Sequence, residues 1–465
     1  MRPPAALVWF HRWLGIATCL VFAVWFASGA VLLFKDFPSL SRDDRVALQQ
    51  AVDLDAVAIG PARALAAAGP SASAVRLIQR GAAPAYIVEG AGRTLAVDAR
   101  SGTVLAPIPA SASDGTQQIE YDQWIVHNQF DTYRPLLRAP QRDQAGTVLY
   151  TSAITGEPVQ RTTAWDRAWN WAGAVLHWVY FTPLRSSFTA WDQFVWWLSL
   201  VAMLVAVAGT VLGIMRTIVA LRQRKPSLSI YRVKWMRWHH ILGLFTAVFI
   251  LAWIFSGWLS MDHGRLFSRG QPTEEQALGY RGGTLASTLA AVRPETLAAL
   301  GPVKRIDFNA VGGSPVLTVF RANGQVERVG AAGEELSPRA MAALISSGVQ
   351  AGWPGGSPGT ISDVEPTAMY ALAEGWPASA LRVPIAGGDY PDLYLDGDNG
   401  QILTVMDDSR GAYAWTYYAL HTFNFPVLTT RPVLRQVLVL IPLLIGFLFS
   451  LTGVVIGWRR LRASI

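Results

Sequence analysis

The sequence predicts a membrane protein, mainly α, with four transmembrane helices arranged as two parallel repeats about a pseudo-twofold axis and with α+β domains on one side. Three observations predict it: four long charge-free intervals, a one-sided distribution of basic residues, and a duplication that carries four of the seven histidines. At 465 residues, 51% of them hydrophobic, the chain is too apolar for an ordinary soluble protein. It also carries long polar stretches that no bilayer would hold, so spans and soluble domains must alternate.

The charge-free intervals run between Arg12 and Lys35, Asp192 and Arg216, Arg237 and Asp262, and Arg435 and Arg459. Each exceeds the roughly 18 residues that make a transmembrane helix plausible. The connection from Arg216 to Arg237 is basic and free of acids, and the tail carries Arg459, Arg460 and Arg462, which marks both as cytoplasmic. All Asp and Glu lie in the two long connections, which an even number of spans places on the other side, so both termini are inside. The net charge of +7 is then a topology signal, and nucleic acid is not an expected partner.

The resulting division is a transmembrane helix at 9–34, an outer domain at 35–164, an interfacial aromatic helix at 165–182, a transmembrane helix at 191–216 and a cytoplasmic linker at 217–236. The second half repeats the plan: a transmembrane helix at 237–261, an outer domain at 262–408, an interfacial aromatic helix at 411–425 and a transmembrane helix at 433–459. The outer segments read as α+β because short alternating runs bracket Gly or Asn-Gly turns, with helical stretches at 57–68 and 339–347. The run Asp396, Asp398, Asn399, Gly400 reads as a turn, since it lacks the acceptor spacing and the closing Glu of a calcium loop. A signal peptide would account for residues 1–30, but the apolar run is long for one, and its copy lies mid-chain. The single cysteine, Cys19, excludes an intramolecular disulfide framework and covalent haem attachment through Cys-x-x-Cys-His.

The duplication aligns Trp9–Phe34 with Arg237–Asp262, pairing His11, Gly15, Trp25, Ser28 and Gly29 with His239, Gly243, Trp253, Ser256 and Gly257. A second constant offset pairs Trp171, His177, Gly209, Gly213 and Arg216 with Trp415, His421, Gly453, Gly457 and Arg460. Because both copies start inside, the repeats are parallel, with their axis along the membrane normal. The axis brings His11 towards His239 near one face and His177 towards His421 near the other. Ionisable groups at membrane depth are costly, so matched histidines read first as cofactor ligands. Haem iron accepts axial imidazoles, and four ligands suit two non-covalent b-type haems. Zinc would want four ligands at one point, and copper would favour sulfur ligands that are absent as a cluster. The competing reading is four interfacial histidines satisfied by headgroups or backbone.

The other three histidines are less defined. His240 aligns with Arg12, and either residue suits a haem propionate or plain snorkelling to the interface. His263 aligns with Lys35, with the same two readings, and His127 reads as an ordinary outer-domain residue. Many of the nineteen Trp residues cluster before the second span, as membrane-interface belts do. Tyr121, Arg134 and Arg138 would serve an anionic or aromatic ligand or simply form domain surface.

The span-start motifs HRWLG and HHILG, the later Ser-Gly pair, and the hairpins of the outer segments resemble the PepSY-associated transmembrane helix family over nearly the whole chain. That family includes di-haem reductases of ferric siderophores in the bacterial inner membrane. The resemblance implies periplasmic PepSY-like outer domains and an inner-membrane location. It carries the family's span histidine onto His11 and His239, while His177 and His421 follow mainly from the repeat. The expected function is a haem-dependent ferric-siderophore or ferric-chelate reductase releasing Fe(II). With no Gly-x-Gly-x-x-Gly unit or phosphate loop, the electrons must come from a quinol, a reduced flavin or a reductase at the inner side. The alternative is a haem-free PepSY anchor that binds or regulates a periplasmic partner such as a protease. A transporter fits less well, because no charged residue interrupts a span.

Overall fold

The computed structural model describes residues 3–69, 72–90, 92–111, 115–387 and 391–463. They form two compact units: one of residues 1–37, 165–267 and 412–465, the other of residues 38–164 and 268–411.

The first unit contains four helices long and apolar enough to cross a membrane: Ala5–Leu32, Phe188–Arg222, Lys234–Ser260 and Pro432–Arg462. At about 1.5 Å per residue each exceeds the roughly 30 Å of a hydrocarbon core. They close a ring in which the first packs on the second and fourth, and the third packs on the same two. Small residues permit the close approaches, as expected where no hydrophobic effect drives helices together. The Phe26 ring lies against Gly446, and Phe449 lies where a Cβ on Gly243 would sit only 2.8 Å from it.

Each aromatic stretch is an α-helical turn followed by a wider one, not a uniform helix. Ala164–Asn170 runs into a π-turn at Trp171–Val175, and Asp408–Ala414 runs into a π-turn at Trp415–Ala419. Such widened turns recur at functional sites. Each is followed within four residues by a non-glycine residue at positive φ, Val179 at 55° and Phe423 at 57°. For a β-branched residue such as Val179 this is a strained conformation.

In the second unit the first outer segment supplies β1 (Ala72–Arg80), β2 (Ala83–Gly90) and β3 (Arg93–Asp98), then a separate sheet of β4 (Gln117–Ile119), β5 (Leu136–Pro140), β6 (Val148–Ser152) and β7 (Pro158–Thr162). The second segment supplies β8 (Val303–Val311), β9 (Ser314–Arg321) and β10 (Val326–Val329). The sequence divides these segments into two domains, yet β8 pairs antiparallel with β1, Val75 opposite Phe308 and Ile78 opposite Arg305. One six-stranded sheet, in the order β10-β9-β8-β1-β2-β3, therefore spans both. The physical reason is the edge: β1 and β8 in separate domains would each present a row of unpaired backbone groups. Joining them also merges the core, where Leu77, Tyr86 and Val88 pack with Leu289, Ile306 and Phe308. Gly312 and Gly313, at φ 55° and 82°, make the two-residue β8–β9 turn that only residues tolerant of positive φ close.

Two expected helices start or end elsewhere. The first begins at Pro61, not at residue 57, because proline suits the first helical turn and not the interior, and the second extends over Pro338–Gly352. The acids of the Asp396–Gly400 turn accept from Arg42, at 2.9 Å to Asp396 and 2.5 Å to Asp398.

Candidate functional site

Four imidazoles of the helical unit form two couples. The ring centres of His11 and His239 are 6.4 Å apart, and those of His177 and His421 are also 6.4 Å apart. One metal bonded to two imidazoles at about 2.0 Å each places ring centres roughly 6 Å apart. Both spacings would suit two imidazoles sharing one metal ion.

The Nδ1 atom of every one of these rings has a protein partner. His11 Nδ1 lies 3.2 Å from the Val205 carbonyl, and His239 Nδ1 lies 3.0 Å from Thr452 Oγ1. His177 Nδ1 lies 3.1 Å from Ser28 Oγ. His421 Nδ1 lies 3.1 Å from Ser256 Oγ and 3.1 Å from the Trp253 carbonyl. A bond at one ring nitrogen fixes the tautomer and orientation and leaves the other as a ligand. Among the described residues, no hydrogen bond reaches the four Nε2 atoms.

A glycine seats each ring. A Cβ on Gly209 would come within 2.5 Å of His11 Cε1, and one on Gly453 within 3.5 Å of His239 Cε1. For the other couple, Gly29 stands 3.3 Å from His177 Cε1 and Gly257 stands 3.1 Å from His421 Cε1 by the same measure. The Ser-Gly pair in the first and third spans thus has two tasks: serine holds Nδ1 and glycine makes room for the ring. Sequence reasoning marked these residues as a duplicated pattern but gave them no role. Their signal was present, since serine and glycine recur in register beside no other obvious function.

His11 and His239 line a cavity of about 510 Å³. That volume falls in the roughly 300–1,000 Å³ range of cofactor pockets. Gly15, Gly209, Gly243 and Gly453 flatten its walls, Phe22, Leu244, Ile250 and Phe449 make them apolar, and Arg12, Arg216 and Arg460 add cations. This lining fits a flat apolar macrocycle that carries carboxylates at one edge. Phe449 stacks on His239 with ring centres 4.6 Å apart.

The remaining expected residues divide. Arg12 is exposed at the cavity and available to an anionic group. His240 also lines the cavity, but its Nε2 lies 2.9 Å from the Gly213 carbonyl and 3.2 Å from Thr217, and its Nδ1 lies 3.0 Å from Ser229. With both nitrogens engaged, His240 ties the second span and the linker to the third span. His263 Nε2 sits 2.6 Å from Asp192, with its ring stacked on Trp196, while His127 Nδ1 accepts from the Gln129 amide at 3.0 Å. In the other unit Arg134 lies 4.1 Å over the Tyr121 ring and bonds Asp131, while Arg138 pairs with Asp122 at 3.2 Å. Those arginines serve the domain's own packing.

The chain matches the family model of the PepSY-associated TM region over residues 8–460. Comparison with curated proteins gave no match. With nearly its whole length matched and four helices long and apolar enough to cross a membrane, the chain belongs to the PepSY-associated TM region family.

Proposed function

We propose that this membrane protein holds two non-covalent b-type haems, one on His11 and His239 and one on His177 and His421, and reduces a ferric chelate such as a ferric siderophore. The observation that carries the reading is the repeated geometry: two imidazole couples at 6.4 Å, each Nδ1 held and each Nε2 without a hydrogen-bonding partner among the described residues. Bound haem supplies one-electron exchange at its iron.

The chain's own residues orient and insulate. Val205, Thr452, Ser28 and Ser256 hold the rings, and glycines let the helices close around them. Arg12 and Arg216 offer charge-assisted bonds to propionates at the inner cavity. The basic linker and tail support a cytoplasmic location for both termini, with the outer unit in the periplasm of a bacterium and the spans in its inner membrane. The matched positions in the two halves support parallel repeats about an axis along the membrane normal. Each ferric ion released as Fe(II) takes one electron, which a quinol, a reduced flavin or a reductase supplies from the inner side.

The test is the optical spectrum of the protein extracted from haem-replete cells, before and after dithionite. About two haems per chain with a b-type reduced spectrum are expected, and His11→Ala and His421→Ala should each remove one. Fewer than one haem per chain would overturn the reading and favour a haem-free anchor for a periplasmic partner such as a protease.

A further inference from the structure

The sheet-containing unit has a cavity of its own, of about 250 Å³, lined by Arg42, Arg45, Tyr133, Glu157 and Arg305 with Pro158 and Val159. Three guanidinium groups around so small a space would repel one another unless acids or a ligand answer them. Arg42 is answered by Asp396 and Asp398, which do not line the cavity. Arg305 turns Nε and Nη2 to Asp307, at 2.5 and 3.0 Å, and leaves Nη1 3.8 Å from Glu157. Glu157, the one acid in the lining, is already engaged by Arg76 through both carboxylate oxygens, at 2.8 and 2.5 Å.

Arg45 differs from these. Its Nε donates to the Leu40 carbonyl at 3.3 Å, and its two terminal nitrogens have no protein partner among the described residues. The Tyr133 hydroxyl makes no hydrogen bond there either. The cavity therefore gathers the Arg45 terminus, Arg305 Nη1 and a phenol, all able to donate, around a space where the acceptors are spent. Both outer segments contribute, Arg45 and Tyr133 from the first and Arg305 from the second.

We propose that this cavity is a binding site for a small oxyanion, a phosphate or a short polycarboxylate, held by Arg45, Arg305 and Tyr133. Its volume lies below the roughly 300–1,000 Å³ of sites that enclose drug-sized ligands, so it admits a small anion or one carboxylate arm of a larger molecule and excludes a whole chelate. Arginine is suited to this task because its planar fork meets two oxygens at once. The site is independent of the haem reading, since it involves no residue of the helical unit.

Isothermal titration of the full-length protein in detergent, at neutral pH and low salt, tests the site with inorganic phosphate and with citrate as separate probes. Saturable binding of either is expected, with phosphate alone or citrate alone telling which anion the cavity takes. Arg45→Gln should weaken it by about tenfold or more, the loss expected for a charge-assisted bond, and Tyr133→Phe several-fold. Neither substitution removes a member of the Arg76–Glu157 pair, and an unchanged thermal midpoint would show that the variants fold. Saturation by neither anion, or equal affinity in a folded Arg45→Gln variant, overturns the proposal whatever the haem content.

Discussion

Ser256 Oγ stands 3.1 Å from His421 Nδ1, and Ser28 holds the same separation from His177. In each case the serine comes from a long apolar helix and the histidine from the turn after a π-widened segment. Removing a bond of this kind behind a metal-bound imidazole commonly costs 10–100-fold in metal affinity. Ser28→Ala and Ser256→Ala should therefore keep the fold and lose haem from the His177–His421 couple on dilution, by about that factor. Absorbance followed during dilution or competition with a haem-scavenging protein reads the effect, and retention equal to that of the unaltered protein would refute it.

Gly209→Ala should empty the His11–His239 couple alone. The new methyl would lie 2.5 Å from His11 Cε1, a distance no Cβ tolerates, so the ring must leave its place. About half the haem should disappear while the His177–His421 couple stays filled. Gly411→Ala, where a Cβ meets nothing within 4 Å, is the matching control and should leave the haem content intact.

His240→Ala addresses the role of the neighbouring histidine. Because both its nitrogens serve Gly213, Thr217 and Ser229, the variant should retain both haems and lose stability by about 1–3 kcal/mol, the usual cost of buried groups left unpaired. Loss of the haem at His11 and His239 in an otherwise folded variant would instead assign His240 to the cofactor.

Acid should act on the sheet unit through Glu157. Two bonds from Arg76 hold its carboxyl down at about 2, against an ordinary 4.5, despite the opposing effect of burial. A depressed carboxyl stabilises the fold above its unfolded value, and that stability is lost as the pH falls from about 4.5 towards 2. The thermal midpoint should thus drop over this window. Glu157→Gln, which leaves the buried Arg76 with Glu89 as its one remaining acid, should be destabilised at neutral pH by about 1–3 kcal/mol, and its deficit should shrink on acidification. A constant difference between the two proteins across the range would contradict this assignment.

The spans were legible because a bilayer imposes length and apolarity on any segment that crosses it. The histidines stood out because a costly residue type was duplicated in register, and the matched rings lie side by side. The pairing of β1 with β8 was not legible, since more than two hundred residues separate the strands and register across such a distance leaves no local pattern. The tie between His240 and Ser229 was hidden for a different reason. Its partners are a loop hydroxyl and a helix carbonyl, which no side-chain motif announces. Similarly, Asp396 and Asp398 read as turn residues, and their attachment to Arg42 emerged only from the folded contacts.

The strand pairing of Val75 with Phe308 also sets an order of events during synthesis. Until the later half of the polypeptide has left the ribosome, β1 waits with one flank bare, a sticky template for any passing strand. A fragment ending in the basic linker would expose that flank permanently, so cutting the gene at its point of duplication should yield halves that aggregate when made alone and recover when made together.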